Sequence, residues 1–175
     1  MKIIKFPELK QTTDYDCGAT ALTAVLAYFG INVAEKDIMQ AAKTTKFGTP
    51  IVGLKKVVKK YGLKYQAGEM TAEQVKRYID KKIPVILLIQ AWTDKDSVAW
   101  QKDWTDGHYA VAIGYDKTKM YFEDPWTTLR TYLTYKELAK RWHDVDKHGK
   151  KYLNFGLAVY GKKSSYDLHK TIHMD

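Results

Sequence analysis

The one cysteine of the chain, Cys17, ends a polar loop and opens an apolar run, in Gln11-Thr-Thr-Asp-Tyr-Asp-Cys17-Gly18-Ala-Thr-Ala-Leu22. A thiol reacts as its thiolate, and the free N–H groups and positive dipole end of a helix start stabilise that anion. A free thiol titrates near about 8.5, and a site of this kind lowers it to about 3.5–7.5. Lone cysteines are more often inert small hydrophobes, but this one stands where a nucleophile is needed. Asp14 and Asp16 oppose it, because carboxylates beside a thiol raise its pKa. Asp16, directly before the helix, is placed to serve as its N-cap acceptor.

A thiolate nucleophile needs a base, a group that orients the base, and donors for the oxyanion. Of five histidines, His169 and His173 fall in the C-terminal tail, while His143 and His148 flank a polar loop and are expected to be solvated. His108 differs. It follows Asp106-Gly107 and opens the alternating stretch His108–Tyr115, so its ring can enter a cleft at a sheet edge. A histidine satisfied by a backbone carbonyl is the competing reading. Asp124 closes Tyr121-Phe-Glu-Asp124-Pro125-Trp126. If the chain turns at Asp116–Lys119, Asp124 returns to the strand end where His108 starts and can orient it, although taken alone an Asp-Pro turn is the better reading of that aspartate. Gln11, six positions before Cys17, can donate to an oxyanion together with the Cys17 N–H.

The elements that must position these groups follow from periodicity. Cys17 to Phe29 is apolar at helical spacing, and Gly30 ends it. Glu35 to Ala42 is a second helix, and Thr49-Pro50 opens a third that runs to about Lys60. Leu63 to Ala67 is a short strand. Thr71-Ala-Glu-Gln74 and Thr134-Tyr-Lys-Glu137 fit capping boxes, starting helices to about Lys81 and Trp142. Ile83 to Gln90 is a buried strand, followed by a long aromatic loop, Ala91 to Gly107, that carries Trp92, Trp100 and Trp104 and is placed to wall or cover the cleft. His108–Tyr115 and Met120–Glu123 form a hairpin, and Lys151 to Tyr160 is a last strand. Helices first and antiparallel strands later make an α+β pattern. Residues 1–161 are expected to form one domain, and 162–175 a polar, loosely ordered tail.

The chain has 175 residues and a net charge of +9. One cysteine excludes an internal disulfide. No secretion signal opens the chain, and no apolar run approaches the about 20 residues of a membrane helix, so a cytoplasmic location is expected. The charge implies a weak attraction to anionic surfaces, but no nucleic-acid motif accompanies it. The histidines and Cys17 lack the short spacing of metal ligands. Gly156–Lys163 imitates a phosphate loop, but Lys163 stands where magnesium needs Ser or Thr, and the stretch falls in the last strand. No cofactor, metal or nucleic-acid partner is expected.

Taken together, Gln11…Asp16-Cys17-Gly18-Ala19, then Gly107-His108-Tyr-Ala-Val, then Asp124-Pro125, resemble the C39-like cysteine peptidases of the papain-like superfamily, whose best-known members trim double-glycine leaders from bacteriocin precursors. The Tyr28-Phe29-Gly30 helix end is similar too. The resemblance implies a papain-like fold: a helical N-terminal part with the nucleophile at a helix start, and an antiparallel sheet carrying His and Asp. It implies Cys17 as nucleophile, His108 as base, Asp124 as orienter, Gln11 in the oxyanion hole, and a peptide or protein substrate. The transporter and ATP-binding parts of the best-known members have no counterpart here. A papain-like acyltransferase or amidase uses the same groups, and a non-catalytic peptide-binding module of the same fold is the third reading.

Overall fold

The computed structural model describes residues 1–167, 169–171 and 173–174. A short strand β1 (Lys2–Ile3) precedes three helices, α1 (Cys17–Tyr28), α2 (Glu35–Ala42) and α3 (Ile51–Lys60). Then follow β2 (Lys64–Glu69), α4 (Ala72–Asp80), β3 (Val85–Gln90), β4 (Gly107–Tyr115), β5 (Lys119–Glu123), β6 (Thr131–Thr134), α5 (Tyr135–Arg141), β7 (His143–Val145), β8 (Lys151–Leu153) and β9 (Phe155–Tyr160). The architecture is α+β. One antiparallel sheet runs β2-β9-β3-β4-β5-β6, with β1 also paired to β4.

The apolar character of α1 extends around the helix: Ala19, Ala21, Leu22, Ala24, Val25 and Leu26 are fully buried, as a helix without a polar face must be. It packs on β4. All six residues of β3 are buried, which requires cover on both faces of the sheet. α4 supplies part of that cover, against β3, β4 and β9. Both anticipated capping boxes form: Thr71 with Gln74 and Thr134 with Glu137.

Three features depart from the sequence expectation. The single strand Lys151–Tyr160 is two, β8 and β9, broken at Asn154. That residue adopts a left-handed conformation (φ 49°), which asparagine tolerates. Its N–H donates to the Trp142 carbonyl and its own carbonyl accepts from Met70. β8 thereby leaves to pair with β7, while β9 enters the main sheet between β2 and β3. β6, a stretch to which the sequence reading assigns no element, pairs along Lys119–Phe122 of β5. In the tail, the Ser164 hydroxyl and Ser165 N–H donate to the Tyr28 carbonyl, an acceptor left free at the end of α1. The tail's first residues are thus fastened to that helix, and Leu168, Ile172 and Asp175 lie outside the described residues.

Gly53 is where α3 crosses α2, and a methyl there would enter the van der Waals shell of the Ala42 carbonyl oxygen. Backbone cannot step aside as a side chain can. Gly53→Ala is expected to cost about 1–3 kcal/mol of stability in urea unfolding. Val52→Ala, one residue away and 74% exposed, should stay within about 0.5 kcal/mol of the parent.

Candidate active site

Cys17 begins α1, so its N–H has no intrahelical partner. The helix start is pressed hard against the sheet. A Cβ on Gly18 would lie 2.8 Å from both Thr49 Cβ and Tyr109 Cδ2, so only glycine permits this approach. Tyr109 secures the contact by donating its hydroxyl to the Thr49 carbonyl at 3.1 Å. Asp16 does not cap α1, contrary to expectation; no side-chain cap bond forms there. Its carboxylate turns back and accepts from Thr12 N and Oγ1 and from Thr13 N. The charge is spent on the approach loop rather than on the helix.

His108 and Asp124 meet because of the β4–β5 register. Val111 faces Glu123, and continuing that register sets Asp124 two residues off the position opposite His108, a diagonal pair on one face. Nε2 of His108 donates to Oδ1 of Asp124 at 2.7 Å, and both side chains are buried. Burial opposes a charged imidazole. The hydrogen bonds to Asp124 and then to Cys17, with the charges of both, outweigh it and raise His108 to about 10. With Nε2 held by the carboxylate, Nδ1 is the nitrogen left for the thiol. Asp124 is lowered despite its burial, by His108 and by the donors Trp126 N and Thr131 Oγ1.

Gln11 reaches the same place by its backbone: its N–H donates to the Pro125 carbonyl at 2.7 Å. Its side-chain Nε2 donates to the Thr13 carbonyl at 2.6 Å, and Oε1 is buried with no partner. A primary amide has two N–H bonds, and this contact uses one. The structure thus brings Cys17, His108 and Asp124 into one cluster and puts Gln11 on its rim, with the amide partly engaged in its own loop.

The aromatic loop is clamped at its base, since Ala91 N donates to the Asp106 carbonyl and Asp106 N to Oε1 of the buried Gln90. Of its three tryptophans only Trp92 serves the cluster, donating Nε1 to Asp124 Oδ2 at 3.1 Å and stacking on Trp126 with ring centroids 6.0 Å apart. Both rings remain about half exposed, at 45% and 43%. Trp100 lies under Arg141, and Trp104 packs on His143 and Lys151. His143, expected to be solvated, is buried and donates Nε2 to the Asp103 carbonyl.

Sequence reasoning did not find the donors Trp92 and Thr131. The available signal was positional: Ile89 pairs with His108, so a polar-tipped residue just past β3 must lie near the histidine. Among the described residues no group of three or more His, Cys, Asp or Glu could hold a metal ion. No helix there is long and apolar enough to cross a membrane. Cavities of about 620 Å3 and 590 Å3 open elsewhere, beside β1 and beside α5, and neither is lined by Cys17, His108, Asp124 or Gln11. Hydrogen bonding, not cavity size, locates the chemistry.

The fold has known counterparts. The chain is 28% identical over 140 residues to the pediocin PA-1 transport/processing ATP-binding protein PedD of Pediococcus acidilactici, covering 77% of this chain but 17% of that protein. It superposes on the peptidase domain of Streptococcus ComA, a bifunctional ABC transporter involved in a quorum-sensing pathway, with a TM-score of 0.64, 18% identity, and 91% and 99% of the two chains covered. A double-glycine-motif protease from an AMS/PCAT transporter, solved with its leader peptide, gives 0.65 at 18% identity, covering 91% and 94%. At such identity these structures show a shared fold. The model of the Peptidase_C39 like family matches residues 3–150, and the chain belongs to that family.

Proposed function

We propose that this protein is a cysteine peptidase that cleaves a peptide bond through Cys17, His108 and Asp124. The observation that carries the reading is the buried contact at 2.7 Å in which Asp124 Oδ1 holds Nε2 of the His108 ring, with Cys17 among the groups that raise the pKa of that ring. An imidazole kept protonated to about 10 is an imidazolium at neutral pH, and a cation beside sulfur stabilises the thiolate.

The Cys17 sulfur attacks the scissile carbonyl carbon, forming C–S as the carbonyl π pair moves onto oxygen. The Cys17 N–H at the helix start and the second N–H of Gln11 stabilise that oxyanion. Collapse breaks C–N, and the His108 imidazolium gives its proton to the leaving amine. Water then attacks the thioester while His108 takes its proton; C–O forms, C–S breaks, and the thiolate–imidazolium pair returns. The leader-peptide complex of the double-glycine-motif protease supports a peptide ending in Gly-Gly before the scissile bond as the substrate class.

With a single cysteine, iodoacetamide reports on Cys17 alone. Labelling at pH 6 is expected to run at least about tenfold faster than for a free thiol, of which under about 1% is ionised there. His108→Ala should remove that excess, and a wild-type rate no greater than the free thiol's would sink the proposal. Cys17→Ala should abolish release of aminomethylcoumarin from a Gly-Gly-aminomethylcoumarin peptide.

Asp124 sets a second expectation. Asp124→Ala deprives His108 of its carboxylate, so the imidazole should titrate well below its parent value, with the high-pH limb of labelling moving down with it. The stability that protonated His108 contributes is full below its ordinary value of 6.5 and is lost as pH rises through about 10.

Trp92→Phe keeps the ring and deletes the N–H to Asp124. A hydrogen bond to a charged group is worth about 1.5–3 kcal/mol, less where half exposed, so kcat/KM should fall about tenfold. An unchanged kcat/KM would show that the indole N–H does no orienting.

A further inference from the structure

Glu123 is the residue beside Asp124 that the chemistry above leaves unused. It ends β5, is buried, and accepts the Leu9 N–H on Oε1 at 3.1 Å. Its Oε2 is buried with no partner. Two residues along, the Pro125 carbonyl accepts the Gln11 N–H at 2.7 Å. These two bonds stitch the approach loop to the sheet on either side of Asp124.

We propose that Glu123 is a positioning residue that fastens the Leu9–Gln11 segment, and with it the oxyanion donor Gln11, to the His108–Asp124 end of the sheet. The catalytic consequence rests on the peptidase reading above; the fastening itself does not. The segment leads into the nucleophile's loop and lies outside the sheet ladder, so few other bonds fix its height above Asp124.

Glu123 performs this role as a neutral acid. Burial first, then the charges of Asp124 and Glu8, raise it to about 8, against the Leu9 N–H and His108, which lower it. Oε2, which meets no partner, is the oxygen free to carry the proton. Ionisation would leave a buried anion repelled by Asp124 and Glu8 and attracted by His108. Water can reach that anion if the segment lifts. The stability contributed by the retained proton is full below about 4.5 and is lost as pH climbs through about 8.

The test follows amide exchange at Leu9 and Gln11, as protection factors from pH 6 to 10, in the full chain and in Glu123→Gln. Wild-type protection should fall at least tenfold as pH crosses about 8, whereas the amide variant, which keeps the acceptor and cannot ionise, should hold level. Hydrolysis of the Gly-Gly-aminomethylcoumarin peptide should lose kcat above about pH 8 in the wild type and keep it in Glu123→Gln. Iodoacetamide labelling, which needs no oxyanion donor, should be equal in both at pH 7. Glu123→Ala should lose protection at every pH and about ten- to a hundredfold in kcat, with labelling retained. Equal pH dependence of protection in wild type and Glu123→Gln overturns the proposal, as does a parallel loss of labelling and hydrolysis in Glu123→Ala. If Glu123→Gln does not fold, a wild-type protection factor that stays level across pH 8 overturns it equally. No turnover of the peptide by wild type at any pH would instead sink the peptidase reading, and the exchange data would still decide the fastening.

Discussion

The Asp124 carboxylate is the constraint around which the sheet end is arranged. A buried anion is tolerated only when its lone pairs are met, and four donors converge on this one: His108 Nε2, Trp92 Nε1, Thr131 Oγ1 and the Trp126 N–H. They come from four separate places: the start of β4, the loop after β3, the start of β6, and the turn that follows β5. Satisfying one carboxylate therefore fixes the relative height of three strands. It also fixes the plane of the imidazole, because Oδ1 is shared between the ring and a backbone N–H that cannot move independently.

The second half of the site is a matter of packing. α1 has no polar face to offer solvent, so it must lie in the interior, and β4 is the strand it meets. Gly18 lets its first turn approach until Thr49 and Tyr109 are in contact range, and the Tyr109 hydroxyl closes that seam. The thiol is consequently delivered to the sheet at the residue before Tyr109, which is His108. A helix start and a strand start are thus joined by contacts that contain no charge, leaving the electrostatics of the pair to be set by Asp124 behind it.

Much of this was legible in the chain because it is local. Asp116–Lys119 turns between two alternating runs, so His108 and Asp124 had to return to one end; the capping boxes at Thr71 and Thr134 mark their helices within four residues. What was not legible depends on partners distant along the polymer. Asp16 sits in an N-cap position, yet its acceptors are claimed by Thr12 and Thr13, a choice between two local options that local sequence does not decide. β6 carries little hydrophobic alternation and exists because β5 presents an unpaired edge. The break at Asn154 depends on Trp142 and Met70, which claim its N–H and carbonyl. His143 and Trp92 lie in polar surroundings along the chain, and only the fold buries one and turns the other toward a carboxylate.

Glu123 and Asp124 show how far one residue of displacement carries. They are consecutive, both buried, and similar in intrinsic acidity, yet their environments drive them in opposite directions, one raised to about 8 and the other lowered. Neighbours at a strand end face opposite sides. One side holds an imidazole, an indole and a hydroxyl, all able to donate; the other holds a single backbone N–H. A carboxylate with four donors remains an anion, while one with a single donor keeps its proton. The difference separates their effects: the charged member holds the His108 ring, and the neutral member can lie beside it without adding a second negative charge. Exchanging the two residues would keep the composition and the net charge, and would still put the wrong carboxylate behind His108.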